Sequence, residues 1–271
     1  MHIEFELHPI DDIAPWGDEK SPTLHWFGLT DGLYRIRLGP DYLLSYTEAV
    51  RAPFARECPE AYSGPCVDYY VVRLWEDLIE MLPYVLEPVP KEFIRHLQQD
   101  CAAISAFWDR AHEWWDAQDD AGAPRNQTAD TVDTATLWLS YRFLDNNYLS
   151  NSTRFWMWSE DDTVRIAWDN RDIEMNGQPV WSAQRGSYSL SREAFLDAIK
   201  IFDRTLIDQM ATRVDQVCRH WNRPEIHVDF DGLKRDQQDR ATWLQNKLDQ
   251  LDFHITDWDA VAAAMKTINS A

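Results

Sequence analysis

The sequence predicts an α+β fold in which an antiparallel or mixed sheet packs against long amphipathic helices. Two blocks of the chain, about residues 2–46 and 153–190, alternate apolar and polar residues at the period of strands. The residues between and after these blocks repeat apolar side chains at helical spacing instead. Because strands and helices are segregated along the chain, this pattern favours α+β over a βαβ alternation. The chain has no internal repeat, and we expect residues 1–271 to form one α+β domain rather than two.

The first strand block begins at the N-terminus, where Met1–His8 alternates apolar and polar residues. Leu24–Thr30 and Leu33–Leu38 flank Asp31-Gly32, a dipeptide typical of type I′ turns, so these two segments are predicted to form a hairpin. Residues 42–46 add a short strand. Residues 52–65 contain three prolines and are predicted to be a loop.

A helical region follows. Apolar residues between Val67 and Val85 lie on one helical stripe, with acids and Arg73 opposite, which predicts an amphipathic helix. Pro88 and Pro90 end this helix, and a second helix is predicted from Pro90 to about Gln118. Residues 116–135 hold many acids and few large apolar side chains, so we expect an exposed insertion loop there. Part of this stretch starts a further helix that ends near Leu144.

The second strand block is predicted to be a β-meander. Thr153–Ser159 and Thr163–Asp169 are joined by three acids, and a second hairpin turns at Asn176-Gly177 before Val180–Leu190. Ser191 is expected to cap a helix of about 28 residues with one apolar face. Two helices, about Gly232–Leu251 and Asp257–Ile268, end the chain, the second with a pattern like a capping box at Thr256–Asp259.

The charge of the chain restricts its partners. With 46 acidic and 26 basic residues, its net charge is −20, so nucleic acid and anionic membranes would repel it. The first residues resemble a strand rather than a secretion signal, and no apolar stretch approaches the about 20 residues of a membrane span, so a cytoplasmic protein is expected. We expect four reduced cysteines. A local disulfide between Cys58 and Cys66 is the alternative if the compartment is oxidising.

No motif for a cofactor or metal is present. The chain contains no Gly-rich phosphate-binding loop, no nucleophile elbow and no HExxH, so we expect neither a bound cofactor nor a metal ion. His227, Asp229 and Asp231 alternate and could form a small metal or acid/base site. The simpler interpretation, that Asp229 or Asp231 caps the next helix, is favoured. His25 is interpreted as an ordinary strand or core histidine.

One cluster of aromatic and basic residues is the best candidate for a binding site. Tryptophan offers a large rigid surface, and arginine offers a planar fork of donors that stacks on rings, so the two are enriched in binding hot spots. The alternative interpretation is that the tryptophans fill the core. The candidate binding residues are Arg154, Trp156, Trp158, Trp168, Asp169, Asn170, Arg171, Trp181 and Arg185.

Several strings of the sequence resemble a bacterial family known only as a domain of unknown function. They cover nearly the whole chain and include Ile13–Gly17, Leu24–Gly32, Arg73–Leu78, Trp168–Arg171, Pro179–Trp181 and Asp239–Leu244. The resemblance implies a bacterial, single-domain, cytoplasmic protein and brings no catalytic residues. Residues 117–135 resemble nothing in the family, as expected of an insertion.

Two functional hypotheses follow. The first is a non-catalytic binding protein, most concretely an immunity-type inhibitor of a basic toxin or nuclease domain, because the negative charge would steer a basic partner. The second is an enzyme with an unrecognised polar, Trp-lined site around Asp169, Arg171, His25 or the His227 group. A structural or scaffold protein is a further alternative.

Overall fold

A computed structural model describes residues 1–18, 20–57 and 64–270, and it has the predicted α+β fold. The first sheet contains β1 (His2–Leu7), β3 (Asp31–Leu38), β4 (Asp41–Leu43) and β5 (Val67–Tyr70), whereas β2 (Thr23–Leu24) lies outside it. The long strand β3 is central and pairs antiparallel with the other three.

The predicted hairpin at Asp31-Gly32 is wrong. Residues 28–30 form a 3₁₀ turn, and Asp31 and Gly32 are the first residues of β3, where Gly32 pairs with Leu7 of β1. A Cβ atom on Gly32 would collide with the carbonyl oxygen of Glu6. The glycine is therefore used for the close approach of β1 rather than for a turn.

The loop predicted over residues 52–65 is wrong for residues 52–57, because helix α1 (Glu48–Glu57) continues through Pro53. The part of the predicted loop at residues 58–63 lies outside the described residues. A proline removes one backbone donor, and here the helix tolerates that single loss. Cys58, and with it the Cys58–Cys66 bridge, lies outside the described residues.

Four helices follow, namely α2 (Val71–Leu86), α3 (Lys91–Leu97), α4 (Cys101–Asp120) and α5 (Arg125–Ser140). The first begins at Val71 rather than Val67, because residues 67–70 pair with β3. The helix predicted from Pro90 to Gln118 is divided at residues 98–100, where Asp100 accepts the N–H of Ala103 (2.9 Å) and caps α4.

The insertion loop predicted over residues 116–135 is also wrong. Helix α4 extends to Asp120, Gly122 turns the chain with a positive φ of 74°, and α5 begins at Arg125. The side chains that α5 buries between α4 and α9 (Trp258–Asn269) include the small residues Thr128, Ala135 and Thr136. Small side chains let helices approach closely, so the lack of large apolar residues here does not indicate a loop.

The second strand block forms the predicted meander. It contains β6 (Phe155–Glu160), β7 (Thr163–Asp169), β8 (Glu174–Met175), β9 (Gln178–Pro179) and β10 (Arg185–Ser191). Strands pair antiparallel in the order β10-β7-β6, and the predicted hairpin at Asn176-Gly177 joins β8 to β9. The last strand begins at Arg185 instead of Val180.

The C-terminal part contains α6 (Arg192–His220), β11 (His227–Val228), α7 (Phe230–Arg240), α8 (Trp243–Asp249) and α9. Ser191 caps α6 by accepting the N–H of Ala194, as predicted, and Asp229 caps α7 by accepting the N–H of Gly232. A single helix over residues 232–251 was expected, but residues 241–242 divide it. None of the helices in the described part of the chain is both long and apolar enough to cross a bilayer.

Strand β6 separates two hydrophobic cores. Phe155 and Met157 face the larger core, which α2 and α6 cover, whereas Trp156 and Trp158 face a smaller core built from α3, α4, α5 and α9. Because side chains alternate across a strand, consecutive residues of β6 serve different cores and nearly all of them are buried.

Candidate functional site

The predicted cluster lies on and around one face of the sheet β10-β7-β6, which we call the tryptophan face. Its strand register places Trp156, Ala167 and Ser187 in one row and Trp158, Arg165 and Ser189 in the next. Asp169 and Arg185 are paired at the end of the same face. The helices α3 and α4 cover the β6 side, and the β10 side is exposed.

A cleft of about 420 Å³, the sheet cleft, opens between the tryptophan face and the α3–α4 junction. A volume of this size is typical of small-molecule sites. Five of the nine predicted residues line it, namely Trp156, Trp158, Trp168, Asp169 and Arg185.

The tryptophans of the cleft are buried, whereas a binding hot spot would expose their rings to a partner. Trp156 and Trp158 are only 2% and 3% exposed. Their indole N–H groups donate to the carbonyl oxygen of Leu97 (2.6 Å) and to Glu160 (2.9 Å). Trp168 packs on the opposite face of the sheet, over Gly186. The rings of Trp156 and Trp158 hold the cleft in shape and do not present their flat faces to solvent.

The negative charge of Asp169 is compensated by an ion pair with Arg171. Arg171 donates two hydrogen bonds to its carboxylate (2.7 and 2.8 Å), and these bonds lower the pKa of Asp169 below its ordinary value. Asp100 lies 3.8 Å from the same guanidinium. A general base needs a pKa near the working pH, so Asp169 is unsuited to that role.

The structure separates the remaining predicted residues from the cleft. Arg154 pairs with Asp172 (2.7 Å) and lines a neighbouring cavity instead. Asn170 is fully buried, where it accepts hydrogen bonds from Thr153 and the backbone of Arg154 and donates to Ala183. Trp181 stacks on Tyr46 in the larger core. Their contacts hold loops and core together.

A second site, which the sequence did not indicate, lies between α5 and α9. This acidic groove has a volume of about 440 Å³. Leu137, Tyr141 and Ile255 line it and are 36%, 41% and 39% exposed. Large exposed apolar side chains that cluster together mark interaction surfaces.

The rim of the acidic groove carries charge of one sign. Asp130, Asp133 and Asp257 line it, and none of the residues that form it in the described structure is basic. Asp130, Asp133 and Leu137 follow one another at helical spacing, which was the available signal. This spacing alone does not reveal the groove, because the residues that form its opposite side lie on and before α9, which is distant in the chain.

Three side chains could provide donors to a metal ion. His8, Asp31 and Asp68 bring their donor atoms within 4.8 Å of one another, and the imidazole Nε2 of His8 lies 2.8 Å from Asp68. Burial raises the pKa of Asp31. A hydrogen bond between the two side chains accounts for the His8–Asp68 contact without a metal. Of the other predicted candidates, His227 is exposed and Asp229 serves as a cap.

Comparison with known proteins agrees with the resemblance found in the sequence. The model of a family described as "Family of unknown function (DUF5984)" matches residues 2–264. No curated protein and no solved structure matches the chain significantly. Because the family model covers nearly the whole chain, this protein belongs to the DUF5984 family of unknown function.

Proposed function

We propose that the protein is a non-catalytic binding protein that holds a basic partner protein in its acidic groove. The observation that carries this proposal is the composition of the groove, where three carboxylates surround three exposed apolar side chains. Interfaces combine an apolar centre with a polar rim, and a rim of one charge selects a partner of the opposite charge.

The charge of the whole chain acts in the same direction. A net charge of −20 produces a long-range field that raises the association rate of a basic protein and repels acidic ones. The field steers the encounter, and the contacts with Leu137, Tyr141 and Ile255 then determine how long the complex lasts.

The shape of the groove suits a helix with one apolar and one basic face. Helices α5 and α9 form its two walls, and its floor includes Trp138 and the stacked pair Tyr84 and Tyr141, whose ring centroids are 4.2 Å apart. An amphipathic helix would place apolar anchors on the floor and lysines or arginines against Asp130 and Asp133. Most concretely, we propose an immunity-type inhibitor that neutralises a basic toxin or nuclease domain in the cytoplasm.

A synthetic amphipathic helix of leucine and lysine serves as the probe, with a scrambled peptide of the same composition beside it. Fluorescence anisotropy should show binding of the amphipathic peptide that weakens at high salt. The double variant D130N/D133N should weaken binding by roughly five- to thirtyfold, because each exposed charge contact contributes about 0.5 to 1 kcal/mol.

The matched control is D197N/D208N, which removes two exposed acids from α6 and changes the net charge equally. If both double variants weaken binding to the same extent, the groove is not the site. Equal binding of the scrambled peptide would likewise contradict it. The immunity proposal is tested by inhibition of basic nuclease domains, which D130N/D133N should weaken by the same roughly five- to thirtyfold factor and D197N/D208N should leave intact.

A further inference from the structure

We propose that the sheet cleft binds a small, uncharged, hydroxyl-rich ligand, a mono- or disaccharide by chemical class. This site is separate from the acidic groove, and the inference does not depend on the partner proposed above. It combines three observations, namely the balance of charge in the cleft, its supply of both donors and acceptors, and the open floor at Ala167.

The charges at the cleft cancel, although the chain as a whole is strongly acidic. Asp100, Glu160 and Asp169 contribute three negative charges, and Arg165 and Arg185 contribute two positive ones. Arg171, which is bonded to Asp169, supplies the third positive charge. A site with no net charge gives no electrostatic advantage to a charged ligand over a neutral one.

The lining offers hydrogen-bond donors and acceptors side by side. The amides of Gln98 and Gln99 and the hydroxyls of Ser187 and Ser189 each both donate and accept, and all four residues are exposed. The side chain of Arg185 forms no hydrogen bond or ion pair with any residue in the described ranges, so its guanidinium is free to donate. Sugar hydroxyls also donate and accept, which makes them complementary to such a lining.

Part of this lining is held in place before a ligand arrives. The indole N–H of Trp158 donates to Glu160 (2.9 Å), and the guanidinium of Arg165 lies between Glu160 (3.6 Å) and the hydroxyl of Ser189, to which it donates at 2.6 Å. Groups that are already oriented lose less conformational entropy on binding. These contacts on both sides hold Arg165 in place on β7, the middle strand of the tryptophan face.

The floor of the cleft contains one small apolar residue, Ala167. Ala167 lies between Trp156 and Ser187 in its row, and its single methyl group leaves space that a larger side chain would fill. The C–H groups of a sugar ring could pack on Ala167 and on the edge of the adjacent indole.

Ala167→Leu tests the site, because the added side chain would enter the cleft. The probes are glucose, galactose, mannose, N-acetylglucosamine and maltose at millimolar concentration, with phosphate and citrate as anionic probes, in saturation-transfer NMR and calorimetry. We expect at least one sugar to bind, and A167L to weaken it by about tenfold or more. Ala211→Leu, on the exposed face of α6, is the matched control and should leave binding unchanged.

Three results would overturn the proposal. They are the absence of a signal from every sugar, sugar binding that A167L and A211L affect equally, and binding of phosphate or citrate in preference to all of the sugars. The groove variant D130N/D133N should bind sugar as the unchanged protein does, so failure at one site is distinguishable from failure at the other.

Discussion

A buried ion pair between Arg142 and Glu87 provides the sharpest test of how the structure is stabilised. The two side chains are 0% and 1% exposed, and the guanidinium Nη2 donates to Glu87 at 3.0 Å. Arg142 also donates to the carbonyl oxygen of Trp138 (2.6 Å), and Glu87 accepts from the backbone and hydroxyl of Thr256. The pair therefore joins the ends of α2 and α5 to the segment before α9.

Replacing Arg142 with methionine should lower the free energy of unfolding by about 3 to 5 kcal/mol. Burial lowers the pKa of Arg142 to about 10, so it is still charged at neutral pH. Without it, the carboxylate of Glu87 stays buried with only Thr256 as a donor, and removing one partner of a buried pair has this cost. The double variant R142M/E87Q should be more stable than R142M, because no unpaired charge remains.

Unfolding in guanidinium chloride, followed by both tryptophan fluorescence and far-UV circular dichroism, measures these differences in the free energy of unfolding. Arg219→Met is the control, since Arg219 pairs with Asp215 on the exposed surface of α6 and its loss should cost less than about 1 kcal/mol. A loss below about 1 kcal/mol for R142M, or a double variant less stable than R142M, would refute the assigned role of the pair.

Three further predictions concern other parts of the fold. Burial raises the pKa of Asp77 to about 7, so the folded state holds a proton that the unfolded state has lost. The contribution of Asp77 to stability should therefore decline from about pH 4 to pH 7, by at most about 1.4 kcal/mol per pH unit, and Asp77→Asn should remove that slope from unfolding curves measured across this range. Gly186→Ala should cost about 1 to 3 kcal/mol by denaturant unfolding, because its Cβ would overlap the buried indole of Trp168, whereas Ser187→Ala should be nearly neutral. Asp229→Ala should lower the unfolding midpoint through loss of the α7 cap, and an unchanged midpoint would show that this cap is dispensable.

The candidate sites show how far sequence reasoning could reach. The tryptophan and arginine cluster was found because its residues are close together along the chain, and the antiparallel meander brought several of them to one cleft. The burial of Trp156 was not predictable, because it depends on distant elements: Leu97 of α3, which accepts its indole N–H, lies 59 residues earlier. The acidic groove was missed for the same reason, since Ile255 and Leu137 meet only when α5 packs against α9.

Local signals in the sequence by themselves determined the α+β class, the β6–β7 meander, the Asn176-Gly177 turn and the capped helix α6. In each of these elements the apolar period, the turn residues or the cap act within a few residues of one another. Only the tertiary structure decided that Gly32 lies within a strand, that residues 67–70 join a sheet and that α5 packs between α4 and α9 instead of lying exposed. There a distant partner, β1, β3 or the pair α4 and α9, supplies the contacts, and such contacts override weak local preference.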